Sequence, residues 1–199
     1  MVGESKGWHA RGYLPHFDSP ERVQHIVFRT AGSLPAQAGD MKPDAWNAAL
    51  DRSQAGRRLA DPAAAGIMEG AMLHFHAQRY RLLAWCVMPN HVHAVIEQVE
   101  GYPLGRVVSA WKGYAARRIN VLQGRSGPFW ASDYFDRYMR DATQLERAIA
   151  YVENNPVAAG LAARPEDWPF SSARLRRGDA REDARGPWRH TAREDARGP

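Results

Sequence analysis

The chain has 199 residues, of which 44% are hydrophobic and 25% are charged, and this balance predicts a folded domain rather than a disordered chain. No apolar stretch is long enough to cross a bilayer, and the N-terminal residues lack the apolar core of a signal peptide, so we expect no membrane segment. The single cysteine, Cys86, excludes an intrachain disulfide. Together these features favour a cytoplasmic location.

The net charge of +5 is distributed unevenly along the chain. Residues 104–140 hold seven Lys or Arg against two Asp, and aromatic residues are interleaved with them. Basic residues alternating with Trp, Tyr and Phe suit a polyanion that carries stackable bases. A solvated basic helix face gives the same pattern, so charge alone leaves both interpretations open.

Three regions follow one another in the chain. Residues 1–21 contain two prolines and no hydrophobic period, which predicts an irregular N-terminal arm. Residues 22–175 carry the periodic apolar patterns of a folded domain. Residues 176–199 are charged, and the segment at 180–187 recurs unchanged at 192–199. A short duplicated segment of this composition cannot bury a core and predicts a disordered tail.

Strands and helices are predicted to alternate within the domain. The predicted order is strand 22–30, helices between about 43 and 78 with a new start at Asp61-Pro62, strand 79–87, strand 91–98, helix 104–122, strand 129–139, and a helix from Asp141 that Pro156 ends. This order, βαββαβ with an appended helix, is typical of the ferredoxin-like α+β fold. We expect an antiparallel sheet with helices on one face and the other face open.

Two histidines, His91 and His93, lie on the second strand of the hairpin at 79–98. Residues i and i+2 of a strand point to the same face, so these two imidazoles project side by side while Val92 and Ala94 face the core. Two neutral imidazoles on one strand form half of a metal site. The same spacing often occurs without a metal, so the histidines alone do not decide the function.

Tyr151 and Asn155 are four residues apart on the last predicted helix, at the edge of its apolar stripe. A tyrosine hydroxyl and an amide oxygen at this edge would face the histidine pair, as a nucleophile and a third ligand. Mixed imidazole and oxygen ligands with open positions suit Mg²⁺ or Mn²⁺ bound to a phosphate rather than a closed zinc site. A packed core-edge tyrosine and a helix-ending asparagine explain the same two residues without any function.

The combination of motifs resembles a known family. Residues 85–93, WCVMPNHVH, resemble the His-hydrophobic-His (HUH) motif of the single-tyrosine transposases, and residues 151–161, YVENNPVAAGL, resemble the helix that carries their nucleophile. Further similar segments are 11–15, 129–138 and 168–172. The resemblance is closest to the REP-associated tyrosine transposases, relatives of the IS200/IS605 enzymes, and covers about residues 10–175. The duplicated tail has no counterpart in that pattern.

The resemblance implies an HUH endonuclease fold and a metal-dependent transposase that nicks and rejoins single-stranded DNA. The ion, Mg²⁺ or Mn²⁺, would be held by His91, His93 and Asn155. Tyr151 would form a 5′-phosphotyrosine with DNA at a hairpin-forming palindromic repeat. The protein would then be associated with the nucleoid. The arm and the helix at 104–122 would grip the hairpin. The candidate DNA contacts are Arg11, Tyr13, His16, Lys112, Arg117, Arg118 and Arg125.

Several alternatives stay open at this point. The same fold would also serve as a hairpin-DNA-binding protein without catalysis. Replication initiators and relaxases share the HUH chemistry but usually bring a third metal-binding histidine from elsewhere in the chain. Tyr114 is a rival nucleophile in a basic helix, although the residue one turn later is Arg118 rather than a metal ligand. Both a monomer and a homodimer are compatible with the sequence.

Overall fold

The computed structural model describes residues 7–10, 15–20, 22–34 and 43–177. In chain order, the elements of these ranges are β1 (Gly7–Ala10), β2 (Pro15–Asp18), β3 (Val23–Arg29), α1 (Pro43–Arg52), α2 (Pro62–Leu73), β4 (Tyr80–Val87), β5 (His91–Gln98), α3 (Leu104–Leu122), β6 (Phe135–Tyr138) and α4 (Ala142–Ala158). Two short 3-10 helices, Pro165–Asp167 and Ser172–Arg177, follow α4.

The main sheet has four strands in the order β4-β5-β3-β6, and every neighbouring pair is antiparallel. With β3 as the first strand of the domain, this is the strand order of the ferredoxin-like βαββαβ pattern, so the predicted fold class is confirmed. The strands β5 and β3 are central, and Val27 lies opposite His93 in their register. The histidine motif therefore lies in the middle of the sheet, where neighbours on both sides fix its backbone.

One face of the sheet carries the larger core. Val92, Ala94 and Ile96 of β5 are completely buried there, as the alternation predicts. Helices α2 and α3 cover this face and contribute Met68, Met72, Trp111 and Ile119 to the same cluster. Burial of this many large apolar side chains supplies most of the driving force for folding.

The opposite face is not open, contrary to our expectation. Helix α4 packs on it, and Leu145 and Val152 form a second core with Val23 and Val95 of the sheet. His91 and His93 are consequently 0% exposed rather than on a free surface. The apolar stripe of α4 requires a partner surface, and this face of the sheet provides it.

Helix α4 begins as predicted and ends later than predicted. The Asp141 side chain accepts a hydrogen bond from Gln144 N at 2.8 Å, which caps the N-terminus. The helix continues through Pro156 to Ala158, so our expectation that Pro156 ends it is wrong. Buried Glu153, bound by Arg176 and Ser172, anchors the last turns and offsets the hydrogen bond that the proline removes.

The N-terminal region also differs from the irregular arm that we predicted. β1 and β2 pair as a short antiparallel ribbon, in which Trp8 lies opposite Phe17. Phe17 connects the ribbon to the main sheet, because its N–H donates to Asp136 Oδ2 at 3.0 Å and its ring packs 4.9 Å from that of Tyr138. Strands of four residues are too short to be recognised in the sequence from a hydrophobic period. Residues 11–14, with candidates Arg11 and Tyr13, and 178–199 lie outside the described ranges.

Two other elements are shorter than predicted. The second helix ends at Leu73 instead of near 78, although it starts at Asp61-Pro62 as expected, with the Asp61 carboxylate accepting from Ala63 N. In the segment 129–139, only Phe135–Tyr138 forms a strand. The preceding residues contribute a single bridge, between Thr30 and Trp130. Aromatic residues there enter the core without joining the sheet.

Candidate active site

His91 and His93 direct the same ring nitrogen to a common point. Their Nε2 atoms lie 2.9 Å apart, and their ring planes are nearly perpendicular at 81°. The strand pairing holds both backbones, and both rings are completely buried. Two imidazole nitrogens that converge in this way can share one cation.

Asn90 determines which ring nitrogen of His91 carries the proton. Its Nδ2 donates to the carbonyl oxygens of Leu50 and Ser53 at 2.9 and 3.2 Å, which sets the orientation of the amide. The amide oxygen therefore faces His91 Nδ1 at 2.7 Å and accepts a hydrogen bond from its N–H. This leaves the lone pair of His91 on Nε2, where a metal ion would need it.

His25 of β3 contacts the other ring. Its Nε2 lies 3.1 Å from His93 Nδ1, and the two rings stack with centroids 5.3 Å apart. When the proton of His93 is on Nδ1, this N–H donates to His25 Nε2, and the His93 lone pair is then also on Nε2. His25 touches the far side of His93, so it orients that ring and is not a third ligand of the kind that relaxases use.

Burial keeps all three histidines neutral. Desolvation lowers the pKa of His91 to about 3. Desolvation, with a smaller contribution from Arg137, lowers the pKa of His25 to about 4. The pKa of His93 is lowered by burial and by its two histidine neighbours. Neutral imidazoles are the form that binds a metal, so the set is ready to coordinate at pH 7.

Asn155 on α4 and Asp51 on α1 each have a side-chain oxygen without a hydrogen-bond partner within the described residues. Asn155 is 2% exposed, and its Oδ1 is buried without a partner. Asp51 Oδ1 is likewise buried without a hydrogen bond and lies 3.5 Å from His91 Nε2. Burial raises the pKa of Asp51 to about 6, while Arg52 opposes the shift. Unpaired buried oxygens are costly, and a cation is one partner that would satisfy them.

The donor set fits Mg²⁺ or Mn²⁺ better than zinc. Within the described ranges, no group of three or more His, Cys, Asp or Glu side chains is arranged to hold an ion. The third donor expected from the sequence is the amide oxygen of Asn155, which is buried without a hydrogen-bond partner within the described residues. Two nitrogens and one neutral oxygen leave several coordination positions for water or phosphate oxygens, which these ions prefer.

Tyr151 lies directly over the histidines. Its ring centroid is 5.6 Å from that of His93 and 5.9 Å from that of His25, and its side chain is 42% exposed. It lines a cavity of about 310 Å³ together with Arg137 and Arg147. Tyr151 is therefore exposed to solvent in a cavity whose lining includes two cationic side chains.

The rival nucleophile and the predicted DNA contacts fall elsewhere. Tyr114 is on α3, which packs on the other face, so the sheet separates it from the histidines. The Lys112 ammonium donates to the carbonyls of Ala131 and Ser132, and burial lowers its pKa to about 8. Arg117, Arg118 and Arg125 are exposed, and the backbone of His16 is in β2.

Five residues described at this site were not predicted from the sequence. They contact or line it, and they are His25, Asp51, Asn90, Arg137 and Arg147. The alternation of β3 does place His25 and Val27 on one face, but only the pairing of Val27 with His93 shows which face this is. Arg137 and Arg147 carry no local signal, because their approach depends on how α4 crosses the sheet.

Comparisons with known proteins agree with the fold and the motifs. Residues 69–155, which are less than half of the chain, match the sequence profile of the single-tyrosine family described as "Transposase IS200 like". This segment includes His91, His93, Tyr151 and Asn155. The expected resemblance to the single-tyrosine transposases is therefore confirmed.

The resemblance extends to REP-associated tyrosine transposases in particular. A Haemophilus influenzae protein described by that name is 24% identical over 103 residues, which are 47% of this chain and 58% of the relative. The match thus spans little more than half of the relative's length. A structure of a REP-associated tyrosine transposase bound to a REP hairpin aligns with a TM-score of 0.57 and 17% identity, covering 82% of this chain and 84% of the other.

A crystal structure of a protein from Deinococcus radiodurans, described as a transposase, aligns with a TM-score of 0.42 and 20% identity over 74% of this chain and 96% of that one.

Among the helices of the described residues, none combines the length and apolar character needed to cross a membrane.

Proposed function

We propose that this protein is a divalent-metal-dependent endonuclease and strand transferase that acts on single-stranded DNA at hairpin-forming palindromic repeats. The observation that carries the proposal is the approach of an exposed tyrosine to two converging imidazole nitrogens, with ring centroids of Tyr151 and His93 5.6 Å apart. Neither a hairpin-binding module nor a structural domain needs this combination.

The residues divide the chemistry among them. His91, His93 and Asn155 would hold Mg²⁺ or Mn²⁺, which when bound polarises the scissile phosphate and stabilises the charge that develops on it. Arg137 and Arg147 line the cavity beside Tyr151 and can contact the flanking phosphate oxygens. An unperturbed phenol has a pKa near 10, so strong stabilisation of the transition state is necessary.

Tyr151 Oη would attack the phosphorus atom in line with the bond to the 3′ oxygen. An Oη–P bond forms, the P–O3′ bond breaks, and the phenolic proton replaces the bond that the 3′ oxygen loses. The products are a 5′-phosphotyrosine and a free 3′-OH. Attack by the 3′-OH of another strand reverses the step and joins the strands without ATP. His91, His93, Asn155 and Tyr151 come from one chain, so a monomer would suffice.

The experiment is a cleavage assay with a labelled single-stranded oligonucleotide that contains a palindromic hairpin of the host. We expect a covalent protein–DNA adduct on a denaturing gel in the presence of Mg²⁺ or Mn²⁺, and none with EDTA or with Tyr151→Phe. Tyr114→Phe is the matched control and should form the adduct normally. Tight binding without an adduct under either ion would favour the hairpin-binding alternative and contradict the proposal.

A further inference from the structure

A second basic cavity lies at the end of the sheet where β3 stops. It has a volume of about 600 Å³ and is lined by Ala31, Gly56, Arg57, Arg58, Gln123 and Arg125. Three arginines and no acidic residue line it. The active-site residues described above are not among its lining.

The arginines of this cavity have no acidic partner within the described parts of the chain. Other arginines in those parts do pair with carboxylates, as Arg174 does with Glu69 and Arg176 with Glu153. Arg58 is instead held by neutral groups: it donates to Pro128 O at 3.1 Å and to Asn120 Oδ1 at 2.6 Å, and it lies over the Phe129 ring at 4.3 Å. The positive charge of the cavity is therefore not neutralised by its surroundings.

One donor in the cavity wall lacks a partner. The Nε of Arg58 is buried and makes no hydrogen bond within the described residues. Arg58 and Arg125 line the same cavity, and burial together with the charge of Arg125 lowers the pKa of Arg58. An anion between them would remove this repulsion and satisfy the free N–H.

The wall is rigid and connected to the active site. Gly56 has a φ of +64°, and a Cβ there would lie 2.8 Å from the Ser33 backbone, so only glycine fits. The Thr30 hydroxyl bonds the carbonyls of both Gly56 and Asn90. Asn90 in turn holds His91, so a single residue, Thr30, lies between the cavity wall and the residue that orients the metal ligand.

We propose that this cavity binds a backbone phosphate of the same DNA strand whose neighbouring phosphate is cleaved, with Arg57 and Arg125 as the adaptable contacts and Arg58 as the fixed one. The inference rests on the proposed function, because it assumes that a DNA strand passes the histidines. Guanidinium groups in a preformed wall suit a phosphodiester, because a planar guanidinium can donate two parallel hydrogen bonds to its oxygens. The site would fix the strand's position without reading its sequence.

The test replaces single phosphates of the hairpin oligonucleotide with uncharged methylphosphonates, one linkage at a time. At one linkage near the cleavage position, the replacement should weaken binding by wild-type protein about tenfold, as expected for the loss of a hydrogen bond to a charged group. Arg125→Gln and Arg57→Gln should bind less tightly and be insensitive to the replacement at that linkage. Arg81→Gln, which changes an exposed arginine on β4 outside the cavity, should keep the full sensitivity.

The outcomes separate this inference from the proposed function. A linkage that couples to Arg125 or Arg57 supports the phosphate site, even if wild-type protein forms no covalent adduct. An adduct in wild-type protein with no coupled linkage in either variant overturns the phosphate site and leaves the nuclease intact. As a second measure, the slope of log affinity against log salt should fall by about 0.7 in Arg125→Gln, the value for one phosphate of a single strand.

Discussion

At the scale of single residues, the site depends on proton positions that neighbours impose. Asn90 can only present its oxygen to His91, since its Nδ2 is used by two carbonyls. His25 does the same for His93 from the adjacent strand. The Nε2 atoms of these two proposed ligands already lie 2.9 Å apart, which reduces the reorganisation that ion binding would require.

The role of His25 as a positioning residue can be measured directly. His25→Phe keeps a ring of similar size but removes the acceptor for His93 Nδ1. The affinity for Mn²⁺, followed by electron paramagnetic resonance of the free ion, should fall about 10- to 100-fold. His74→Phe changes an exposed histidine at the end of α2 and should leave the affinity unchanged. Equal affinities of wild type and His25→Phe would show that His25 only fills space.

The same three histidines make the stability of the metal-free protein depend on pH. Their native pKa values are lowered, to about 3 for His91 and about 4 for His25, whereas an unfolded histidine titrates near 6.5. As the pH falls below about 6.5, the unfolded chain binds protons that the native state does not bind. Each histidine should therefore reduce the free energy of unfolding by up to about 1.4 kcal/mol per pH unit.

Asp51 opposes this trend over part of the range. Its native pKa is raised to about 6, so the folded state takes up its proton before the unfolded chain does as the pH falls. One carboxyl against three histidines leaves a net loss of stability between about pH 6.5 and pH 4. Urea unfolding with EDTA at several pH values in this window should show the loss, and His25→Phe should show a smaller one. A flat profile in wild type would contradict neutral buried histidines.

At the scale of elements, helix α4 positions the proposed nucleophile, Tyr151, on the sheet. The capping of this helix contributes to the stability of that arrangement. Asp141→Ala removes the cap and should lower the free energy of unfolding by about 1 kcal/mol in urea unfolding. Asp141→Asn keeps an acceptor for Gln144 N and should lose only a few tenths of that. If both variants lost the same stability, the charge of Asp141 rather than its hydrogen bond would be responsible.

Much of the element order could be predicted from local patterns. The helix 104–122 and the hairpin with Met88-Pro89-Asn90 at its turn follow from periodicity and turn chemistry, and the structure confirms both. The continuation of α4 through Pro156 could not be predicted, because it depends on the contacts of Glu153 with Arg176 and Ser172. The covered histidine face and the role of His25 depend on packing between distant segments in the same way.

At the scale of the whole molecule, the sheet separates two tasks. Helices α2 and α3 and the larger core lie on one face, while the histidines, Tyr151 and α4 lie on the other. The basic cavity with Arg57, Arg58 and Arg125 lies at the sheet end next to His91. The larger core thus occupies one face of the sheet, and a smaller core shares the other face with the candidate site.

Asn155 should show this compromise between stability and ion binding. Asn155→Leu replaces the unpartnered buried oxygen with an apolar group of similar size, and the metal-free protein should become about 1 kcal/mol more stable. In wild type, Mn²⁺ at about 100 times its dissociation constant should add about 2.7 kcal/mol to the free energy of unfolding, and the variant should gain far less. Equal gains in both proteins would exclude Asn155 as a ligand.

The central claim is that Tyr151 forms a covalent bond to DNA beside the buried histidine pair. The most direct measurement is peptide mapping by mass spectrometry of the protein–DNA adduct, trapped after reaction of a single-stranded hairpin with Mn²⁺ and digested with nuclease and protease. The account predicts one modified peptide, which carries a 5′-linked nucleotide on Tyr151. A nucleotide on Tyr114 or on any other residue would contradict it.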